Sequence, residues 1–260
     1  MGGKTFGVAL ASDIHFPKHH RALWEGFKRW HKDVRPALTV LAGDVVDLGA
    51  LSDFPPEEDE NLDVAREMHM AAKEINSLEG PKTVLPGNHE KRFHRALKGK
   101  LAPQLRGMLG LTFSEQMHAQ GLRKDNVTWV FESSRVHGLW LGKKSLLVRH
   151  GDNQFKFGPK HLAAAMLQKT PNASQVIGHC HRAQIMCRTS LGHTTVAVTN
   201  PTMQLPQEFA KDADWQHGFS YFEFWGGKRL QDCKYFTPYL VIAQRDGSFS
   251  YGGKVYGGKP

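Results

Sequence analysis

Five times along this chain a short apolar run stops and hands over to an aspartate, asparagine or histidine. Phe6–Ser12 leads to Asp13 and His15, Ala37–Ala42 to Gly43, Asp44 and Asp47, and Lys82–Leu85 to Gly87, Asn88, His89 and Glu90. Ser145–Arg149 leads to His150, and Gln175–Ile177 to Gly178, His179 and His181. Short apolar runs bounded by turn residues read as buried strands, and loops beyond strand ends are where open sheets place ligands. A sheet built from such units gathers residues that are distant in sequence along one edge. The pattern therefore predicts an α/β fold with its chemistry at the strand ends.

The intervening segments support that reading. Leu23, Trp24, Phe27 and Trp30 recur at helical spacing between His20 and Lys32, and Leu62, Ala65, Met68, Ala72 and Ile75 do so between Asn61 and Leu78, where Gly80-Pro81 stops the helix. A further helix is expected from Pro159 to Leu167, opened by its proline. Thr194–Val198 and Tyr239–Ala243 alternate as closing strands, and Asp246-Gly247 carries a hairpin signal. The acidic run Glu57–Glu60 reads as a solvated approach to the second helix, since carboxylates favour a helix N-terminus, rather than as a cation site.

A chain of 260 residues with 40% apolar content can bury the core of a single domain spanning 1–260. It lacks an apolar run near the roughly 18 residues of a membrane span, and its first residues do not resemble a signal peptide. Its three cysteines are too few for a disulfide framework, so a soluble, cytoplasmic protein is expected. Cys180, between two histidines, is expected to point away from the chemistry, and Asp152 to support His150 or simply to shape a turn. Thirty-four Lys and Arg against 25 Asp and Glu give a net charge of +9, which favours anionic partners. Between Lys91 and Ser114 there is no acid, while Lys91, Arg92, Arg95, Lys98, Lys100 and Arg106 all fall there. This marks a basic helical insert or cap at about 91–135, either an ordinary solvated face or a phosphate-gripping lobe.

The ligand-type residues are a mixture of carboxylate, imidazole and amide oxygen. Such a set suits two divalent ions, with Mn favoured and Fe, Zn, Ni or Mg as alternatives, and the absence of a cysteine cluster argues against structural zinc. Two ions about 3.5–4 Å apart can act on both oxygens of an in-line phosphoryl displacement.

The order Asp13-x-His15, Gly43-Asp44-x-x-Asp47, Gly87-Asn88-His89-Glu90, His150 and Gly178-His179-x-His181 resembles the calcineurin-like metallophosphoesterase superfamily. The resemblance implies a four-layer fold, two mixed β-sheets packed face to face with helices outside and metals at the strand ends. It implies that Asp13, His15 and His181 hold one metal, that Asn88, His150 and His179 hold the other, and that Asp44 bridges them. His89 would serve the leaving oxygen as proton donor or stabilise the transition state, with Asp47 hydrogen-bonded to it, while a metal-bridging hydroxide attacks phosphorus.

The last motif resembles the nuclease and phosphodiesterase branches of that superfamily. Leu48 stands where the protein phosphatases carry an arginine, which weakens that reading. The run from Gly87 to Leu97 also looks like compact members common in bacteriophage and prophage genomes. The expected function is a phosphodiesterase acting on DNA or nucleotides, with Arg92 and Arg95 holding phosphates. The alternatives are a small-nucleotide or general phosphomonoesterase or pyrophosphatase, and a catalytically silent scaffold.

Overall fold

The computed structural model describes residues 4–52, 63–100, 112–130, 138–152, 161–205 and 213–258, the side chains of 97–100 excepted. Its first sheet has six strands. At its centre β1 (Phe6–Ala11), β2 (Leu38–Ala42), β3 (Lys82–Leu85) and β4 (Val127–Trp129) run parallel, and β10 (Gly218–Trp225) and β11 (Tyr235–Ile242) complete it antiparallel beyond β1. The second sheet has the order β5 (Leu139–Leu141), β6 (Leu146–Arg149), β7 (Gln175–Ile177), β9 (His193–Thr199) and β8 (Gln184–Ser190). Within it β6, β7 and β9 are parallel, and the two outer strands are antiparallel to their neighbours.

Successive residues of a strand point to opposite faces, and here both faces are apolar because both are covered. Val8 and Leu10 of β1, Val40 and Ala42 of β2, Val148 of β6, and Val176 of β7 fill the space between the sheets. Ala9, Ala11 and Leu41 face the other way, under α1 (Arg21–Val34) and α2 (Val64–Asn76). On the far side α5 (Leu162–Lys169) lays Leu162, Met166 and Leu167 against Ile177 and Ala197. The order is thus helix, sheet, sheet, helix, as expected from the sequence. Small residues on the helix side of β1 leave room for Trp24, Phe27 and Trp30, which pack as a row of rings against Phe219. All are fully buried, each worth about 1.5–3 kcal/mol by transfer from water.

Some expectations shift. The second helix starts at Val64, capped by Asp63, whose carboxylate accepts the Arg66 N–H at 3.0 Å. Residues 61–62, the acidic run 57–60 and Pro159 lie outside the described residues, and the helix expected from Pro159 is α5, beginning at Leu162. Asp246-Gly247 forms a turn but does not close a hairpin between β11 and β12 (Phe249–Tyr251), because β12 pairs with β13 (Lys254–Tyr256) instead. That turn is drawn onto α1: His20 donates to the Arg245 carbonyl (3.1 Å), and a Cβ on Gly247 would come within 2.6 Å of the Leu23 nitrogen. Within the basic stretch, α3 (Asn88–Lys100) and α4 (Phe113–Ala119) are helical, but Val127–Trp129 belongs to the first sheet; 101–111 and 131–135 lie outside the described residues.

Candidate metal centre

The loops after β1, β2 and β3 meet those after β6 and β7 at the seam between the two sheets. Asp13, His15, Asp44, His179 and His181 all have left-handed backbone, with φ of 53°, 54°, 50°, 64° and 56°. This conformation costs a non-glycine residue roughly 1–2 kcal/mol, so hydrogen bonds must hold it. They do: the N–H groups of Asp13, Ile14 and His15 donate to the carbonyls of Gly43 and Asp44 at 2.9–3.0 Å, locking the first two loops together. Two glycines permit the closest approaches. A Cβ on Gly87 would stand 2.1 Å from Asp44 Oδ1, and one on Gly178 would stand 2.6 Å from Asp13 Oδ2.

Three groups of ligand atoms result, each within 4.8 Å of one another: Asp13, His15 and His181; His15, Asp44 and His89; Asp44, His150 and His179. Asp44 is the common member of the last two. Its Oδ2 lies 3.2 Å from His150 Nε2 and 3.8 Å from both His15 Nε2 and His89 Nε2, while its Oδ1 accepts the His89 N–H at 2.9 Å. Asn88 Oδ1 is 3.0 Å from His150 Nε2, and Asp13 Oδ1 is 3.2 Å from His181 Nε2. Burial pushes the Asp13 carboxyl up, but His181 outweighs it and the group falls to about 2. Burial likewise opposes ionisation of Asp44, and the surrounding histidines, His150 above all, hold it well below the usual carboxylate range.

The donors fit divalent ions by the orientation of their lone pairs. His150 Nδ1 donates to the Ala42 carbonyl (3.0 Å), which leaves Nε2 facing Asp44 and Asn88; burial opposes a proton there, but the Asp44 carboxylate raises the His150 pKa to about 10, so a bound cation would take the place of that proton. His15 Nδ1 donates to Asp47 Oδ1 (3.0 Å), and its Nε2, buried among carboxylates and imidazoles, has no hydrogen-bond partner. A buried bare imidazole nitrogen in this company is what a metal ligand requires. Burial and the nearby His89 lower the His15 pKa to about 4, keeping that lone pair available. The structure therefore carries two candidate clusters consistent with a binuclear divalent-metal site.

Around these clusters, Asp47 differs most from its expected contact. The Asp47 carboxylate binds His15 and Lys18 (3.0 Å each) and stands 3.6 Å from His89 Nδ1; it is the backbone carbonyl of Asp47 that meets that nitrogen at 2.5 Å. Arg92 Nη1 lies 3.1 Å from His89 Nδ1 and 3.4 Å from the same carbonyl, so its guanidinium backs the His89 ring. Arg95 is exposed on α3. Asp152 pairs with Lys91 at 2.7 Å, tying α3 to the loop after β6. Burial pushes the Cys180 thiol up to about 11, which makes it an inert neighbour.

Sequence reasoning underrated Glu90 and missed Lys18, Trp215 and Asn200. The Glu90 carboxylate is turned away from the candidate ligands. It accepts the N–H groups of Gly87 (2.7 Å), Val45 (2.8 Å), Asp44 (3.0 Å) and Val46 (3.2 Å), stapling the second and third loops. Trp215 packs edge-on against His181, ring centres 4.3 Å apart. Glu90 sat inside a motif and could have been questioned; Trp215 and Asn200 have no local signal.

The sequence model of the family described as Calcineurin-like phosphoesterase matches residues 6–183. No curated protein matches the chain by sequence. Among solved structures, Vacuolar Protein Sorting 29 from Cryptosporidium parvum aligns at 12% identity over 97% of this chain and 98% of its own, with a TM-score of 0.50. A predicted phosphoesterase from Streptococcus pneumoniae aligns at 12% over 98% and 99% (TM-score 0.40), and the phosphoesterase YfcE from E. coli at 15% over 89% and 98% (TM-score 0.38). At such identities the first of these shows a shared fold alone.

Proposed function

The chain belongs to the calcineurin-like phosphoesterase family, and from that premise we propose that it is a two-metal phosphodiesterase acting on DNA or nucleotides. The observation that carries the reading is the convergence of three histidine nitrogens on one carboxylate oxygen, Asp44 Oδ2. In this reading Asp13, His15 and His181 hold one ion, Asn88, His150 and His179 the other, and Asp44 lies between. Bound there, divalent ions would polarise the phosphoryl oxygens and activate water, with Mn the first candidate.

The chain's own residues supply the rest. His89 is held at its backbone by Asp44 and at Nδ1 by the Asp47 carbonyl, leaving Nε2 on the Asp44 side of its ring, where, as an imidazolium, it can give its Nε2 proton to the leaving oxygen. Asp47 fixes His15 from behind. Arg92 adds positive charge beside His89, and exposed Arg95 extends it along α3 toward a polyanion. We read the whole chain as one domain whose basic segment borders the site. Three unpaired cysteines favour a cytoplasmic setting, and among the described residues no helix is long and apolar enough to cross a membrane.

A small-nucleotide phosphomonoesterase is the second reading. It is favoured by the pairing of Lys91 with Asp152 and of Arg92 with His89, which commits two of the nearest cations locally. Turnover with Mn²⁺ decides between them, using a chromogenic phosphodiester, a phosphomonoester and labelled single- and double-stranded DNA, with Asp44→Ala and His89→Ala as controls. Diester and DNA cleavage abolished by Asp44→Ala supports the first reading. Monoester turnover without DNA cleavage replaces it with the second.

A further inference from the structure

The Asp13 half of the site is supported by contacts outside every motif in the sequence. Asn200, just after β9, is fully buried, and its amide nitrogen donates to Ser12 Oγ (2.8 Å) and to the Pro201 carbonyl (3.0 Å). Its Oδ1 accepts from Ser220 Oγ of β10 (2.6 Å), and its backbone N–H donates to the Ile177 carbonyl (2.7 Å). Thr202, two residues on, donates its hydroxyl to the Asp13 carbonyl (2.8 Å), which also accepts the Met203 N–H (3.1 Å). Ser12, Thr202 and Ser220 are fully buried too.

These contacts cross the sheets. Ser220 lies in the first sheet and Ser12 directly follows its strand β1; Ile177 lies in the second and Asn200 directly follows its strand β9. Ser12 immediately precedes Asp13, while Ile177 immediately precedes the Gly178–His181 loop. That loop presses on the same place: a Cβ on Gly178 would lie 2.7 Å from Ser12 Oγ, and the His179 N–H donates to both Asp13 carboxylate oxygens at 3.0 Å. Burying an amide is costly unless its hydrogens and oxygen are paired, and here both hydrogens and the oxygen are used. Such a group admits one geometry. A carboxylate at this position loses two donors, and an alkyl group loses all three side-chain contacts, keeping only the backbone bond to Ile177.

We propose that Asn200 is a positioning residue for the metal centre. By joining Ser12 to the strand end that carries the Gly178–His181 loop, it sets the distance between Asp13 and His181, which come from different sheets. The proposal rests on the two-metal reading above.

The test is calorimetric titration of the metal-stripped full chain with Mn²⁺. The wild type should show two sites. In Asn200→Asp one site should weaken by about tenfold or more, the range for loss of a group that orients a ligand, while the other is retained and the circular dichroism is unchanged. A contribution to inter-sheet packing alone would lower the melting temperature of the variant and leave both Mn²⁺ affinities as in the wild type, and that result overturns the proposal. Should Asn200→Asp fail to fold, Ser12→Ala removes one end of the bridge only. It should weaken the same site to a smaller extent, and unchanged affinity there overturns the proposal equally. Since the readout is metal binding, a wild type that takes up two Mn²⁺ but hydrolyses no phosphoester removes the proposed function and leaves the Asn200 result standing on its own. A wild type that binds no Mn²⁺ overturns the two-metal reading and this proposal together.

Discussion

Asp47 gives its carboxylate to His15 and its carbonyl to His89: Oδ1 lies 3.0 Å from His15 Nδ1 and 3.6 Å from His89 Nδ1. Its side chain therefore supports a candidate ligand before it supports the candidate acid. Asp47→Asn should weaken Mn²⁺ binding at the site containing His15 by about 10–100-fold, as loss of a ligand's carboxylate partner does. Metal titration alongside kcat checks this. A fall in kcat with metal affinity intact would show that the carboxylate serves His89 instead.

Glu90 should matter for stability as much as for activity. Gln in its place turns an NH₂ toward N–H groups that now share a carboxylate, leaving buried donors unpaired. Glu90→Gln is expected to lose about 3 kcal/mol of unfolding free energy in urea, the scale of a broken buried charge-assisted network. A loss below about 1 kcal/mol would mean that the loops hold without it.

His31 supplies a pH dependence remote from the metals. Its Nε2 contacts Thr39 Oγ1 at 2.8 Å, and burial, reinforced by the nearby Lys82, lowers its pKa to about 4 from 6.5. The folded state thus resists protonation that the unfolded chain accepts. The stabilisation is complete above pH 6.5 and is lost as pH falls toward 4, by about 3 kcal/mol from this residue. In His31→Gln that part of the acid slope should vanish in urea midpoints measured from pH 7 to 4. An unchanged slope would locate the sensitivity elsewhere.

Arg92 and Arg95 should differ although they are one helical turn apart. Arg92 touches His89, so Arg92→Ala should reduce kcat by about tenfold, a modest share of what an acid–base residue supplies. Exposed Arg95 should act on KM and on the salt dependence of DNA binding only. Reversing both charges without altering that salt dependence would exclude DNA as the substrate.

The sequence made the strand ends legible because each ligand follows an apolar run, and period-two burial explains why those runs are apolar throughout: Val8 and Leu10 face one layer, Ala9 and Ala11 another. Which side chains would meet was also visible for Asp13, Asp44 and the histidines, since their loops leave neighbouring strands. What stayed hidden was orientation. Glu90, given no role beyond its place in a motif, turns to backbone N–H groups; Arg92, expected to hold a phosphate, lies against His89. Asn200 has no apolar pattern or motif around it, because its role depends on two sheets meeting. The Asp246-Gly247 turn was read from local chemistry, while its partner was set by contact with α1.

The left-handed backbone at Asp13, His15, Asp44, His179 and His181 bears on which ion the candidate centre would accept. Side chains launched from bends that are pinned by cross-loop hydrogen bonds have little freedom to follow an ion of the wrong radius. A cage of this kind would be preorganised, its conformational cost met when the chain folds. In the two-metal reading, selection among Mn, Fe, Zn and Mg would be a question of fit to a fixed aperture as much as of ligand hardness, and altering any one bend would retune the preference even with every donor atom retained.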